Sequence, residues 1–139
     1  MKVTEMEKIN YKEKYSIFSK EYSKSKIDFK QLDDISKYFI KKIEIHEFAE
    51  YIGVFDHYMH TSSINTGLIH KDIIGAKNIL FCFGKKLLDP KILSVRPRSI
   101  GICEIESRFI ISFLEVPNPD LNITMIKWVN DLSKISETY

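Results

Sequence analysis

Asn78-Ile79-Leu80-Phe81-Cys82-Phe83, Ser99-Ile100-Gly101-Ile102-Cys103-Glu104-Ile105 and Phe109-Ile110-Ile111-Ser112-Phe113-Leu114-Glu115-Val116 follow one another between Lys77 and Asn118, and no other part of the chain is as apolar. Each run is rich in β-branched and aromatic residues and has the length of a strand, so together they are expected to form the core of a sheet. The first run ends at Gly84, a residue free to take positive φ. The second is approached through Val95-Arg96-Pro97-Arg98, where Pro97 fits only an edge or the start of a strand. Glu106-Ser107-Arg108 is short enough to join the last two runs as an antiparallel hairpin.

Working outward, a chain of 139 residues with 44% apolar content has the length of one ordinary domain and enough apolar surface to bury a core without staples. The expected division is an N-terminal arm over 1–14 and a single α+β domain over 15–139. Cys82 and Cys103 both lie inside apolar runs, which points to reduced, sheltered thiols and not to a disulfide framework. Met1-Lys2-Val3-Thr4-Glu5 has no apolar leader character, and no run approaches about 18 uncharged apolar residues, so a cytoplasmic protein without membrane partners is expected. The formal charge of +2 is too small for the basic footprint of a dedicated nucleic-acid binder. Lysine and isoleucine abound while alanine occurs only at Ala49 and Ala76, the mark of an AT-rich coding bias, so individual lysines carry little functional weight.

From Met1 to about Lys14, charges alternate with isolated apolar residues, which reads as a loosely held arm or a short surface helix. Tyr15 to Tyr22 reads as a strand. Asp28, with Gln31 three residues on, reads as the cap of a helix whose apolar face is Phe29, Leu32, Ile35, Phe39, Ile40 and Ile43. Phe48 to Met59 turns strand-like and runs into Asp56-His57-Tyr58-Met59-His60, and Thr61 to Gly75 reads as a loop with a short helical turn. Pro117-Asn118-Pro119 breaks the last strand, and Leu121, Met125, Trp128, Val129, Leu132 and Ile135 mark a closing helix. The expected fold is α+β, a curved antiparallel sheet with two packing helices, in the order strand, helix, four strands, helix.

Several ordered features resemble domain-of-unknown-function family 302. Phe55-Asp56-His57 is similar to that family's aspartate-histidine at a strand end, and Phe83-Gly84 to its phenylalanine-glycine. Leu88-Asp89-Pro90 and Val95-Arg96-Pro97-Arg98 resemble its next two segments, and Ile102-Cys103-Glu104 with Ile111-Ser112-Phe113 its closing hairpin. The resemblance implies a fold like one repeat of the TATA-binding protein and a homodimer. Nucleic-acid binding would follow from that fold by analogy alone, and the charge balance speaks against it.

Two groups of residues carry the chemistry. Asp56, His57 and His60 cluster at one strand end, where an aspartate can fix a histidine tautomer or simply close a turn. On a strand, residues three apart face opposite sides, so His57 and His60 converge only if the strand stops between them; zinc would further need Cys82 or His70. No metal or cofactor is expected. Arg96 and Arg98 are two of three arginines, and their spacing in an extended segment puts both guanidinium forks on one side, suited to a carboxylate or phosphate. The alternative is pairing with Glu104, Glu115 or Asp89. Cys82, between two phenylalanines, reads as a small buried hydrophobe. There is no G-x-S-x-G elbow, and Gly84-Lys85-Lys86 lacks the rest of a P-loop. The leading expectation is a small anionic or polar ligand held by Asp56, His57, His60, Arg96 and Arg98. Its rivals are a structural or protein-interaction dimer without a ligand and an enzyme using His57 as general base.

Overall fold

In the computed structural model, which describes residues 5–134, six strands form one curved antiparallel sheet. They are β1 (Glu7–Tyr11), β2 (Tyr15–Ser23), β3 (Glu50–Asp56), β4 (Ile73–Cys82), β5 (Arg98–Ile105) and β6 (Arg108–Leu114). Their spatial order is β1-β2-β6-β5-β4-β3, so a hairpin (β1, β2) is joined to a four-strand meander (β3 to β6) through the β2–β6 pairing. Helices α1 (Leu32–Ile45) and α3 (Pro119–Asp131) cover one face; a short helix, α2 (His57–Ser62), follows β3 directly.

Strand alternation sets the core. Ile79 and Phe81 of β4, Ile100 and Ile102 of β5, and Phe109, Ile111 and Phe113 of β6 are all buried under the helices together with Ile35, Tyr38, Phe39, Met125 and Val129. Two tyrosine hydroxyls fasten α3 in place: Tyr22 donates to the Val129 carbonyl at 2.5 Å, and Tyr38 to the Trp128 carbonyl. Trp128 lies against Phe83, with ring centroids 5.3 Å apart, and Phe81, at 6.0 Å. The residues between the buried ones face away from the helices, and Tyr11, Tyr15 and Leu114 are exposed there.

The α+β order holds, with one strand and one short helix more than the sequence suggests. The strand is β1, within the segment expected to be an arm or surface helix; Met1 to Thr4 lie outside the described residues. It forms because Lys12 and Glu13 both adopt positive φ, 52° and 59°, and Lys14 N–H donates to the Tyr11 carbonyl at 3.1 Å, closing a tight hairpin. The extra helix arises because β3 ends at Asp56, whose carboxylate accepts from Met59 N–H at 2.9 Å and so caps α2. Helix α1 starts later than the expected cap at Asp28. Its N-cap is Gln31, which makes no side-chain bond, while Asp33 and Asp34 in the first turn supply negative charge where the helix dipole favours it. Phe29 is buried just before the helix begins, and Ile135, expected on the closing helix, lies outside the described residues. No helix among the described residues is long and apolar enough to cross a membrane.

Candidate functional site

A cavity of about 510 Å³ opens where β4 ends, β5 begins and β6 leads into α3. Four cations line it, Lys85, Lys86, Arg96 and Arg98, against one carboxylate, Asp120. Phe48, Phe83, Val95, Val116 and Leu121 supply apolar wall.

Arg98 is the first residue of β5 and pairs across from Phe81, so its side chain points under the helices and is only 7% exposed. Its Nη1 donates to the Val95 carbonyl at 3.1 Å and its Nη2 to the Leu114 carbonyl, which fixes the guanidinium plane. Its Nε is buried with no hydrogen-bond partner among the described residues. Burial pushes the guanidinium's pKa down, as expected when a charge is partly desolvated. Among the described residues neither Arg96 nor Arg98 enters an ion pair. The carboxylates that might have compensated them are used elsewhere: Glu104 by Lys24 at 2.6 Å, Glu115 by Lys8 at 3.1 Å, and Asp89 as acceptor from Lys91 N–H at 3.0 Å.

Arg96 is half-buried and lies directly over Gly84. A Cβ on Gly84 would sit 2.5 Å from Arg96 Nη1, so a larger residue there would push the guanidinium aside. No glycine among the described residues has positive φ, so Gly84 is not held in a left-handed turn. Nearby, Lys85 Nζ stands 5.4 Å from the centre of the Phe48 ring. The far wall is held by Asn122, whose amide donates to the Val116 carbonyl at 2.9 Å and accepts from Val116 N–H at 2.7 Å. Asn118 accepts from Asp120 N–H at 2.9 Å and from Leu121 N–H at 3.4 Å, so α3's first amides are already capped.

Asp56, His57 and His60 are elsewhere. Asp56 pairs with Lys77 and Arg98 with Phe81, four residues apart on neighbouring β4, or roughly 13 Å along the strand. His57 lines a shallow depression of about 170 Å³ with Asn78, Gly101 and Cys103, on the face the helices leave bare. Because residues 57 to 62 are helical, His57 and His60 share a side after all, with rings 6.1 Å apart and both near Phe55. His57 Nδ1 is 3.1 Å from Thr61 Oγ1. The structure thus brings the two arginines together and the two histidines together, but not the one pair with the other. Cys82 lies at the arginine end, where its sulfur accepts from Gly84 N–H at 3.2 Å, so it is not beside His57.

Sequence reasoning missed Lys85, Lys86, Phe48 and Asp120 as neighbours of the arginines. The lysines stand out only as a failed P-loop, and the contacts of Phe48 and Asp120 depend on three strand ends meeting.

Neither a curated protein nor a solved structure matches the chain. The resemblance to domain-of-unknown-function family 302 is overturned by a family model that matches residues 6–134, nearly the whole chain, and describes a different family. Few and short features carried the resemblance, and an antiparallel sheet of this size produces such strand-end motifs without common descent. The chain belongs to the family of unknown function DUF6858.

Proposed function

We propose that the protein binds a small anion in the cavity at the β4–β5–β6 strand ends, with Arg96 as the contact and Arg98 as the fixed charge behind it. One observation carries this reading: Arg98 is buried, lines an open cavity and has no carboxylate partner among the described residues. An uncompensated buried charge is costly, and an incoming carboxylate or phosphate would offset that cost. Two backbone carbonyls hold Arg98, so little of its side-chain freedom remains to be lost on binding. Asp120 tempers the positive field of the four cations.

The test is a thermal-unfolding titration with phosphate and a small dicarboxylate. At about a hundred times Kd the anion should stabilise the fold by about 2.7 kcal/mol, raising Tm on the order of 8 °C. Arg96→Lys and Arg98→Lys keep the charge and lose the planar fork, and each, measured from its own baseline, should lose most of the rise. Equal rises in wild type and both variants would reduce the effect to general salt exclusion and overturn the reading.

A further inference from the structure

The cavity is far larger than an anion. A phosphate occupies the space of roughly three waters, on the order of 90 Å³, whereas the cavity offers about 510 Å³. What remains is bounded by Phe48, Phe83, Val95, Val116 and Leu121. The loop between β4 and β5 adds a second observation. Its Lys85, Lys86, Ile92 and Val95 line the cavity, while its Leu87, Leu88 and Leu93 are 71%, 82% and 63% exposed. The connection that supplies much of the cavity wall thus also carries three exposed leucines, apolar surface on the same segment as two of the site's cations.

We infer that the ligand is an amphipathic anion: a carboxylate or phosphate head met by Arg96 and Arg98, on an unbranched or aryl body of about ten non-hydrogen atoms, at roughly 30 Å³ each, lying along the Phe48, Phe83 and Leu121 wall. This rests on the anion site proposed above and adds the chemistry of the rest of the ligand. The head is positioned by guanidinium groups at the strand ends. The body displaces water from an apolar wall that is continuous with the core through Phe83, whose ring packs on Phe81 and Trp128. Binding is thus shared between a charge-assisted contact at the head and area burial along the tail.

Calorimetric titration of the whole chain with acetate, hexanoate, octanoate, octyl phosphate and octanol, each below its micelle concentration, separates the two contributions. Affinity should rise about threefold to fourfold per added methylene from acetate to octanoate, and octanol should bind at least tenfold more weakly than octanoate. Arg96→Lys should lower octanoate and octyl phosphate affinity and leave octanol unchanged. Leu121→Ser, a half-buried wall position, should flatten the chain-length series and leave the phosphate-induced Tm rise intact. Tighter octanoate assigns a carboxylate head and tighter octyl phosphate a phosphate head; either supports the proposal. A flat series with an intact, arginine-dependent phosphate effect overturns the amphipathic ligand and leaves the anion site standing. Octanol binding as tightly as octanoate overturns the amphipathic anion, and no binding by any probe together with no phosphate effect overturns both.

Discussion

Two places along β4 treat polar residues in opposite ways. Beside Lys77, in mid-strand where β3 stops, Asp56 caps α2 through Met59 N–H, His57 meets Thr61, and Ser62 and Ser63 donate back to the carbonyls of Tyr58 and His60. Every one of those partners is within four residues, and α2 buries none of its side chains. At the Cys82 end, the lining comes from segments as distant as Phe48, Gly84, Arg96 and Asp120, and the charge of Arg98 is left without a carboxylate among the described residues. A polar cluster that satisfies itself locally has built a helix cap. A charge held by distant elements and left uncompensated is the better candidate for a site.

The largest expected effect tests whether the arginine end is built on the core. Trp128 is buried behind Phe83, so Trp128→Ala should cost about 3–5 kcal/mol in urea unfolding and also blunt the anion-induced Tm rise. A loss within about 0.5 kcal/mol would mean that α3 does not support the cavity wall. The next effect concerns the same helix. Burial raises the pKa of Tyr22, whose hydroxyl holds the Val129 carbonyl, from 10.0 to about 12. The folded state therefore keeps a proton that the unfolded state releases, so the contribution is complete below pH 10 and is lost as pH rises towards about 12. At about 1.4 kcal/mol per pH unit the loss is on the order of 2 kcal/mol. Tyr22→Phe should remove this slope between pH 10 and 12; an unchanged slope would assign it to other groups.

A smaller effect separates the two places. Asp56→Ala removes the cap of α2 and should cost about 1 kcal/mol, while the anion-induced Tm rise stays as in wild type. Coupling of the two would show that they communicate along β4.

The contrast also explains what the sequence could tell. The core strands and both packing helices were legible because their apolar residues recur with the period of the element, as Ile100 and Ile102, or Met125, Trp128 and Val129, show. Strand β1 was hidden because its hairpin turn uses Lys12 and Glu13 at positive φ, where no glycine or asparagine announces the reversal. Helix α2 was hidden because Asp56 reads equally as the partner of His57 and as a cap for Met59. The arginine pair could be suspected from residue choice, yet its lysine neighbours, its apolar wall and the burial of Arg98 depend on contacts between remote segments. Gly84 shows the same limit: the guanidinium that lies over it belongs to Arg96, twelve residues away, and no local pattern records that.

The last and smallest effect concerns the histidines. His57 and His60 lie on one side of α2 with rings 6.1 Å apart and nearly perpendicular, at 86°, and His57 Nδ1 already faces Thr61 Oγ1. Among the described residues no group of three histidine, cysteine, aspartate or glutamate side chains converges, whereas a structural zinc needs four ligands and a catalytic one three. Asp56, the nearest carboxylate in sequence, is held by Met59 N–H and would have to give up the cap to turn towards a metal. His57→Ala and His60→Ala should therefore change stability by less than about 0.5 kcal/mol, the range of ordinary surface substitutions, and should leave the phosphate response of the arginine end unaltered. Elemental analysis of the purified protein should find no stoichiometric transition metal. About one zinc or iron per chain, lost in both variants, would reverse the contrast between the two places along β4 and make the histidine corner the site.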